Sequence, residues 1–433
     1  MTQGPAMSGL RSRRLASILN FEDFEKAARR HLPRPIFGYV ANAAEDRKTL
    51  SANRSAFDDY CFVPRALVDV SRVSLETDLL GKRYSAPFGI APMGISALSA
   101  YRGDIVQAQA AVRAGIPMIL SGTSLIPMEE VAATGGTDWF QAYLPGDPAG
   151  IEALIERVRQ AGFSKLVITV DYPVPPNSDN NKRSGFSSPL RPSLRLAFDG
   201  LIRPRWLFGT FLRTLYKHGI PHFENNYATR GIPVISTNVN RDFSGRSHLN
   251  WQYLELVRRI WPGQLIVKGI LNPEDARKAR DAGVDGIIVS NHGGRQLDST
   301  IAALRALPAV VDAVGDLPVM VDSGFRRGTD VLKALALGAK FVFIGRPFNY
   351  AAAYAGEAGV SHAIRLMQDE VARNMALLGA TCIEEVTPDR LCVNGHGPAG
   401  LPATAAQPGV PAYRPGEAAQ SRPTSDQSLG SMT

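Results

Sequence analysis

Eight short runs rich in Val, Ile, Leu and Phe constrain this chain more than any other feature. Each is followed by Gly, Pro, Ser or Asp and then by a helical pattern, and they occupy 87–91, 117–120, 139–142, 165–170, 264–267, 286–289, 318–321 and 340–344. Apolar runs of this length bounded by turn residues have the character of buried strands. Eight strand-and-helix units point to a (β/α)8 barrel, the TIM-barrel form of the α/β class, rather than an open sheet. The polar residues at the strand ends are Pro92, Ser121, Gln141, Asp171, Lys268, Ser290, Asp322 and Gly345, with successive separations of 29, 20, 30, 97, 22, 32 and 23 residues. The gap of 97 implies an insertion after strand four, at about 173–250.

In a barrel of this kind the chemistry belongs at the carboxyl ends of the strands, where loops vary without disturbing the packed layers. The sixth strand runs into Ser290-Asn291-His292-Gly293-Gly294-Arg295-Gln296-Leu297-Asp298. An imidazole titrates near neutral pH and moves protons, and a guanidinium three residues on grips a carboxylate with two parallel hydrogen bonds. A base beside an anion clamp points to an acidic substrate. Asp322-Ser323-Gly324-Phe325-Arg326-Arg327-Gly328 follows strand seven, and Gly345-Arg346-Pro347 follows strand eight. Glycines and arginines at the last two strands make the phosphate-binding corner of this fold. The alternative is that Arg326 and Arg346 pair with acids on the outer helices.

The flanks are simpler. Residues 1–20 are expected to form a flexible N-terminus, 21–32 and 51–58 have helical patterns ahead of the barrel, and Pro33 and Pro35 break the first. Val360, Ile364, Met367, Val371, Met375 and Leu378 recur at helical spacing, giving a final amphipathic helix. A single domain thus spans 21–394, and 395–433, rich in Pro, Gly, Ala and Ser, is expected to be a disordered tail. No apolar stretch approaches the roughly 20 residues of a spanning helix, and the start lacks the apolar core of a signal peptide. The expected location is therefore cytoplasmic. Cys61, Cys382 and Cys392 form neither a disulfide framework nor a CxxC metal knuckle. With 48 basic and 40 acidic residues, the net charge of +8 is modest for 433 residues and gives no case for nucleic acid as a partner.

Charge is concentrated in the insertion. Between residues 186 and 222 six basic residues face one acid, Asp199, and alternate with Leu194, Phe198, Trp206, Phe208, Phe211, Leu212 and Tyr216. Such a mixture suits a segment lying on an anionic membrane, here the inner face of the cell membrane. It equally suits a solvated lid that packs its aromatics on the barrel rim.

The string 290–298, with 322–339 and Gly345-Arg346-Pro347, closely resembles the FMN-dependent 2-hydroxy acid oxidase and dehydrogenase family, the group of glycolate oxidase, flavin-type lactate dehydrogenase and mandelate dehydrogenase. The resemblance runs from about Phe21 to Gly395. It implies FMN as cofactor and oxidation of an L-2-hydroxy acid to the 2-oxo acid. His292 is similar to the base that takes a proton as two electrons pass to the flavin, Asp171 to its carboxylate partner, and Arg295 with Tyr39 to the carboxylate clamp. Tyr143 resembles the tyrosine that bonds the substrate oxygen, and Lys268 the lysine whose charge stabilises the reduced ring. Pro92, Met93, Gly94, Ser121, Gln141, Thr169 and Ser290 match positions that hold the ring and ribityl chain. Asp322, Gly324, Arg326, Gly345 and Arg346 match ribityl and phosphate contacts. Relatives of this kind form homo-oligomers, usually tetramers.

Three positions depart from the family or divide it. A second active-site arginine usually follows the strand-four aspartate by seven residues, where this chain has Ser178. Loss of such a cation costs on the order of 10² to 10³ in rate if nothing replaces it, and Lys182 and Arg183 are the nearby candidates. Thr123 stands where glycolate oxidase has a tryptophan, leaving room for a bulkier 2-hydroxy acid. Gly94 stands where oxidases commonly carry alanine, while mandelate dehydrogenase resembles this chain in its glycine and its membrane-binding insertion, so the electron acceptor is a quinone or oxygen. The alternative function is a flavin-binding, membrane-associated protein whose turnover is weakened by Ser178.

Overall fold

A computed structural model describes residues 14–187, 193–236 and 246–394. Eight parallel strands form one sheet: β1 (Phe88–Ile90), β2 (Ile119–Ser121), β3 (Trp139–Ala142), β4 (Lys165–Thr169), β5 (Gln264–Ile270), β6 (Gly286–Val289), β7 (Val319–Val321) and β8 (Phe341–Ile344). From β2 to β8 each strand pairs with the next in sequence, and β8 pairs with β1. A parallel bridge from Ile90 to Met118 joins β1 to the β2 edge, closing the expected barrel. The strands begin or end within a few residues of the apolar runs, the largest difference being β5, which continues to Ile270.

Helices follow the strands because the intervening turns supply caps. Asp147 before Pro148–Gln160, Asn250 before Trp251–Ile260 and Asn272 before Pro273–Asp281 each accept a backbone N–H of the first turn. Proline at the first position of two of them is pre-set for the helical φ. The sheet's inward side chains, among them Ile119, Trp139, Val167, Ile266, Ile288, Met320, Phe341 and Phe343, fill the barrel. Tyr84, from a hairpin of strands Thr77–Leu79 and Lys82–Tyr84, joins this cluster, and its hydroxyl accepts from Trp139 Nε1 at 3.1 Å. The outward faces pack against the helices in a second, larger core.

The N-terminal patterns divide differently from the expectation. Packing begins before Phe21: Leu15 and Ile18 are buried, and His362 Nε2 donates to the Ile18 carbonyl at 2.9 Å. Helix Phe21–His31 ends at Pro33, and a new helix, Arg34–Val40, starts at once with Pro35 in its first turn, where proline costs nothing. The next helix is Lys48–Ser55, followed by a 3₁₀ turn, Ala56–Asp59. Its start moves upstream because Asp298 accepts from the Lys48 and Thr49 N–H groups, a cap supplied 249 residues away. The six periodic residues of the final amphipathic helix are all buried within Arg346–Leu378, which is kinked where Gly356 has φ 60°. Cys61 and Cys392 face each other across the strand pair Tyr60–Phe62 and Leu391–Val393, both as free thiols. The expected tail, 395–433, lies outside the described residues.

The insertion holds helices Asp179–Ser184, Leu194–Leu201 and Arg213–His218, the last preceded by a π-helical turn, Leu207–Leu212. It has the features of both expectations. Phe186 and Trp206 are buried, Trp206 Nε1 donates to the Leu98 carbonyl at 2.8 Å, and Phe211 stacks on Trp206. Yet eight of the 19 exposed large apolar side chains among the described residues lie between 194 and 220. One side of the segment covers the rim and the other is left bare. No helix among the described residues is long and apolar enough to cross a membrane.

Candidate active site

Side chains two apart on a strand share a face. Continuing the barrel interior upward therefore takes Ile119 to Ser121, Trp139 to Gln141, Val167 to Thr169, Ile266 to Lys268, Ile288 to Ser290, Met320 to Asp322 and Phe343 to Gly345. The apolar plug ends there, and a polar layer floors a cleft of about 820 Å³. Of the residues proposed from sequence, all but Asp171 and Ser290 line this cleft, and those two support groups that do. Pro92, Met93 and Gly94 border it from the end of β1, Gly324 and Arg326 from β7, and Gly345 and Arg346 from β8.

Lys268 is buried, its Nζ 2.9 Å from Ser290 Oγ and 3.3 Å from Asp322 Oδ2. Removing one partner of such a pair leaves an unpaired buried charge, at about 3–5 kcal/mol. A bulge at Gly269 aims the lysine: φ is 107°, and a Cβ there would lie 2.7 Å from Asp171 Cβ. On the opposite wall Gln141 Oε1 accepts from Ser121 Oγ and the Gly122 N–H, which turns its Nε2 away from them. Gln141 Nε2 and Thr169 Oγ1 are buried with no hydrogen-bond partner in the protein.

His292 takes a left-handed φ of 57°, and its backbone N–H is held by Ser290 Oγ at 3.0 Å. Its Nδ1 lies 2.9 Å from Asp171 Oδ1 and its Nε2 3.2 Å from the Tyr143 hydroxyl. Burial works against the Asp171 carboxylate, but the charge and hydrogen bond of His292, with Lys268 behind, outweigh it and hold its pKa below the ordinary value. Burial, reinforced by Asp171, pushes the Tyr143 phenol far up, so it stays protonated. A carboxylate only accepts, so the neutral imidazole carries its proton on Nδ1, and Nε2 is left as the base.

Three arginines crowd the same rim. Arg295 Nη1 donates to the carbonyls of Tyr39, Val40 and Asn42, and its guanidinium lies 4.9 Å from the centre of the Tyr39 ring. Arg346 donates to the carbonyls of Val40, Asn42 and Gly293 at 3.1, 2.7 and 2.9 Å. The Tyr39, Val40 and Asn42 carbonyls lie at the end of helix Arg34–Val40, where the dipole favours cations. Burial, with Arg295 and Arg326 beside it, pulls the Arg346 pKa down to about 9. Neither Arg326 nor Arg346 forms an ion pair among the described residues; Arg326 Nη1 donates to the Phe325 carbonyl instead. At Gly293, with φ 65°, any side chain would be strained, and a Cβ there, 2.6 Å from Arg346 Nη1, would displace the guanidinium.

Above the cleft opens a wider compartment of about 2460 Å³, shared through Tyr39, Thr123, Tyr143, His292 and Arg295 and walled by Ile95, Leu98, Tyr172, Phe186, Phe223 and Val234. Ser178 lines it. Lys182 lines it too but is exposed, and Arg183 does not. A further cation lining this compartment, Arg246, is one that sequence reasoning missed. It is buried, donates from Nε to the Leu144 carbonyl at 3.1 Å and lies over the Tyr143 ring at 5.2 Å. No local motif marks it, because it arrives from the far end of the insertion.

The family model for FMN-dependent dehydrogenases matches residues 28–393. The chain belongs to that family. It is 42% identical over 378 residues to the L-lactate dehydrogenase of Ectopseudomonas mendocina, covering 85% of this chain and 97% of that one. The monotopic membrane protein (S)-mandelate dehydrogenase superposes with a TM-score of 0.81 at 36% identity, over 87% of this chain and all of the other. A soluble mutant of the membrane-associated (S)-mandelate dehydrogenase of Pseudomonas putida gives 0.72 at 34% identity, with the same coverage. The family's cofactor fits the cleft. The unpartnered Gln141 Nε2 and Thr169 Oγ1 with Lys268 suit the polar edge of a flavin ring, and the corner of Gly324, Gly345, Arg326 and Arg346, whose arginines pair with no carboxylate among the described residues, suits its phosphate.

Proposed function

We propose that this FMN-dependent dehydrogenase oxidises an L-2-hydroxy acid to the 2-oxo acid, with His292 Nε2 as the base. The observation that carries the reading is the chain Asp171–His292–Tyr143, which fixes the base nitrogen toward the cleft beside Arg295. The substrate loses two electrons and two protons: His292 Nε2 takes one proton, and FMN, when bound, would supply the acceptor for the two electrons and the other proton. Asp171 Oδ1 then steadies the imidazolium. Arg295, fastened by three carbonyls, holds the substrate carboxylate with Tyr39, and the protonated Tyr143 donates to the substrate oxygen. Arg246 supplies the second cation that Ser178 does not, which argues against the weakened-turnover alternative. Thr123 and the broad apolar compartment favour a bulky side chain on the acid, in keeping with (S)-mandelate as the substrate in a relative's name.

For the acceptor we favour a quinone reached from a membrane surface, with 186–222 as the docking segment, because its outer side is bare and apolar. The test is anaerobic bleaching of the FMN-loaded protein, purified as the expected homo-oligomer, by a panel of 2-hydroxy acids. Aryl and branched acids should bleach faster than glycolate and lactate. Bound flavin that no acid bleaches would sink the dehydrogenase reading. Rapid oxygen consumption with no reduction of quinone analogues would sink the acceptor.

A further inference from the structure

Away from the barrel mouth, a cleft of about 1290 Å³ separates the first helix from the turn that follows Leu194–Leu201. Arg14, Lys26, Arg30 and His31 line it from one side, and Arg203 and Arg205 from the other. The one acid among the described residues of its lining, Asp23, already accepts from the Leu19 N–H and pairs with Lys26 at 3.7 Å. Among the described residues no carboxylate pairs with Arg14, Arg30, Arg203 or Arg205. Burial, then Arg205 and Arg203, depress the His31 imidazole to about 4, which is how a site crowded with uncompensated cations acts on its neighbours.

The cleft continues into bare apolar surface. Ile202 lines it and is exposed, and just before it Leu194, Phe198 and Leu201 stand exposed at i, i+4 and i+7 of one helix. Phe208, Leu212 and Tyr216 repeat the pattern at i, i+4 and i+8 in the next. Contiguous exposed apolar surface and a cluster of like charges are both costly in water. A soluble phosphate would relieve only the second. An anionic lipid layer relieves both, because its acyl boundary takes the apolar stripes and its phosphates take the arginines.

We propose that this cleft binds the phosphate of an anionic phospholipid headgroup and so seats the enzyme on the membrane beside its insertion. The proposal rests on the membrane contact put forward above, not on the redox chemistry. The test uses the full-length, FMN-loaded protein and sedimentation with vesicles of phosphatidylcholine alone or mixed with phosphatidylglycerol. Neutralising two cleft arginines in R30Q/R205Q should weaken binding to the anionic vesicles by about 30-fold at low salt. Binding to phosphatidylcholine, flavin content and anaerobic bleaching should stay unchanged, and R30K/R205K should retain most of the anionic binding. Equal anionic binding by R30Q/R205Q and wild type would overturn the cleft. So would wild-type binding that ignores phosphatidylglycerol, or glycerol phosphate bound in the cleft with no gain on vesicles. No binding to any vesicle would overturn the membrane contact itself, whereas absent bleaching with intact lipid dependence would overturn only the redox reading.

Discussion

The molecule gathers more cations than carboxylates in two places, and they are built in opposite ways. At the barrel mouth Arg295 and Arg346 each donate to three backbone carbonyls, and Lys268 lies within 3.3 Å of both Ser290 and Asp322. Every cation there is placed before a ligand arrives. In the outer cleft Arg30 and Arg205 are exposed, Lys26 pairs with Asp23, and Arg203 donates to the Leu32 and Ile202 carbonyls at 3.3 Å. Pre-placed charges in a water-poor site serve chemistry, where a displacement of about 1 Å is costly. Mobile, solvated ones serve a surface that has no fixed geometry, and salt screens them over about 10 Å.

The largest effect that could break this contrast is at His292. With His292→Asn, anaerobic bleaching should slow by roughly 10² to 10⁴, the contribution of a positioned base, while bound FMN is retained. The outer-cleft variant R30Q/R205Q should bleach at the wild-type rate. Equal slowing in both would mean that the two sites are not functionally separate.

Arg246 sharpens the comparison, since it belongs to the insertion yet behaves as an inner residue. Arg246→Met keeps a long side chain over Tyr143 but removes the charge. A charged hydrogen bond of about 1.5–3 kcal/mol corresponds to a roughly ten- to hundredfold fall in kcat/KM. Ser178→Arg in the same background should restore part of it, because both positions line one compartment. Steady-state kinetics with a soluble acceptor would read this, and unchanged kinetics in Arg246→Met would leave substrate binding to Arg295 and Tyr39 alone.

The same division explains what could be read from the sequence. The barrel and its polar floor were legible because eight buried strands read as apolar runs, each ending in the polar residues that form or flank the floor. The string 290–298 was legible for a different reason: it sets a base, an anion clamp and their supports within nine consecutive residues. Ser290 holds the lysine and the His292 N–H, Gly293 makes way for Arg346, and Asp298 caps a helix. Arg246 and the outer cleft were not legible. They join segments over 100 residues apart, Arg246 with Leu144 and Arg203 with Leu32, through contacts that leave no periodic trace. For the same reason Lys182 and Arg183 were better candidates by sequence position than by geometry. Arg183 is turned outward, its carbonyl accepting from Arg34 Nη2 at 2.9 Å.

The smallest expected effect concerns His31, and it reports on the outer cleft without any variant of the active site. Its pKa is lowered from 6.5 to about 4, chiefly by burial and then by Arg205 and Arg203. On acidification the unfolded chain therefore takes up this proton before the folded one does. The stability attached to the group is complete above about pH 6.5 and declines as pH falls toward 4. Denaturant midpoints should drop over that window, and His31→Gln should remove part of the drop. A phosphate seated among the arginines opposes their field, so anionic vesicles should raise the His31 midpoint in an imidazole NMR titration, while phosphatidylcholine vesicles should not. A midpoint indifferent to both would mean that no lipid phosphate reaches the cleft, and the outer cations would then be a solvated face without the ligand their crowding implies.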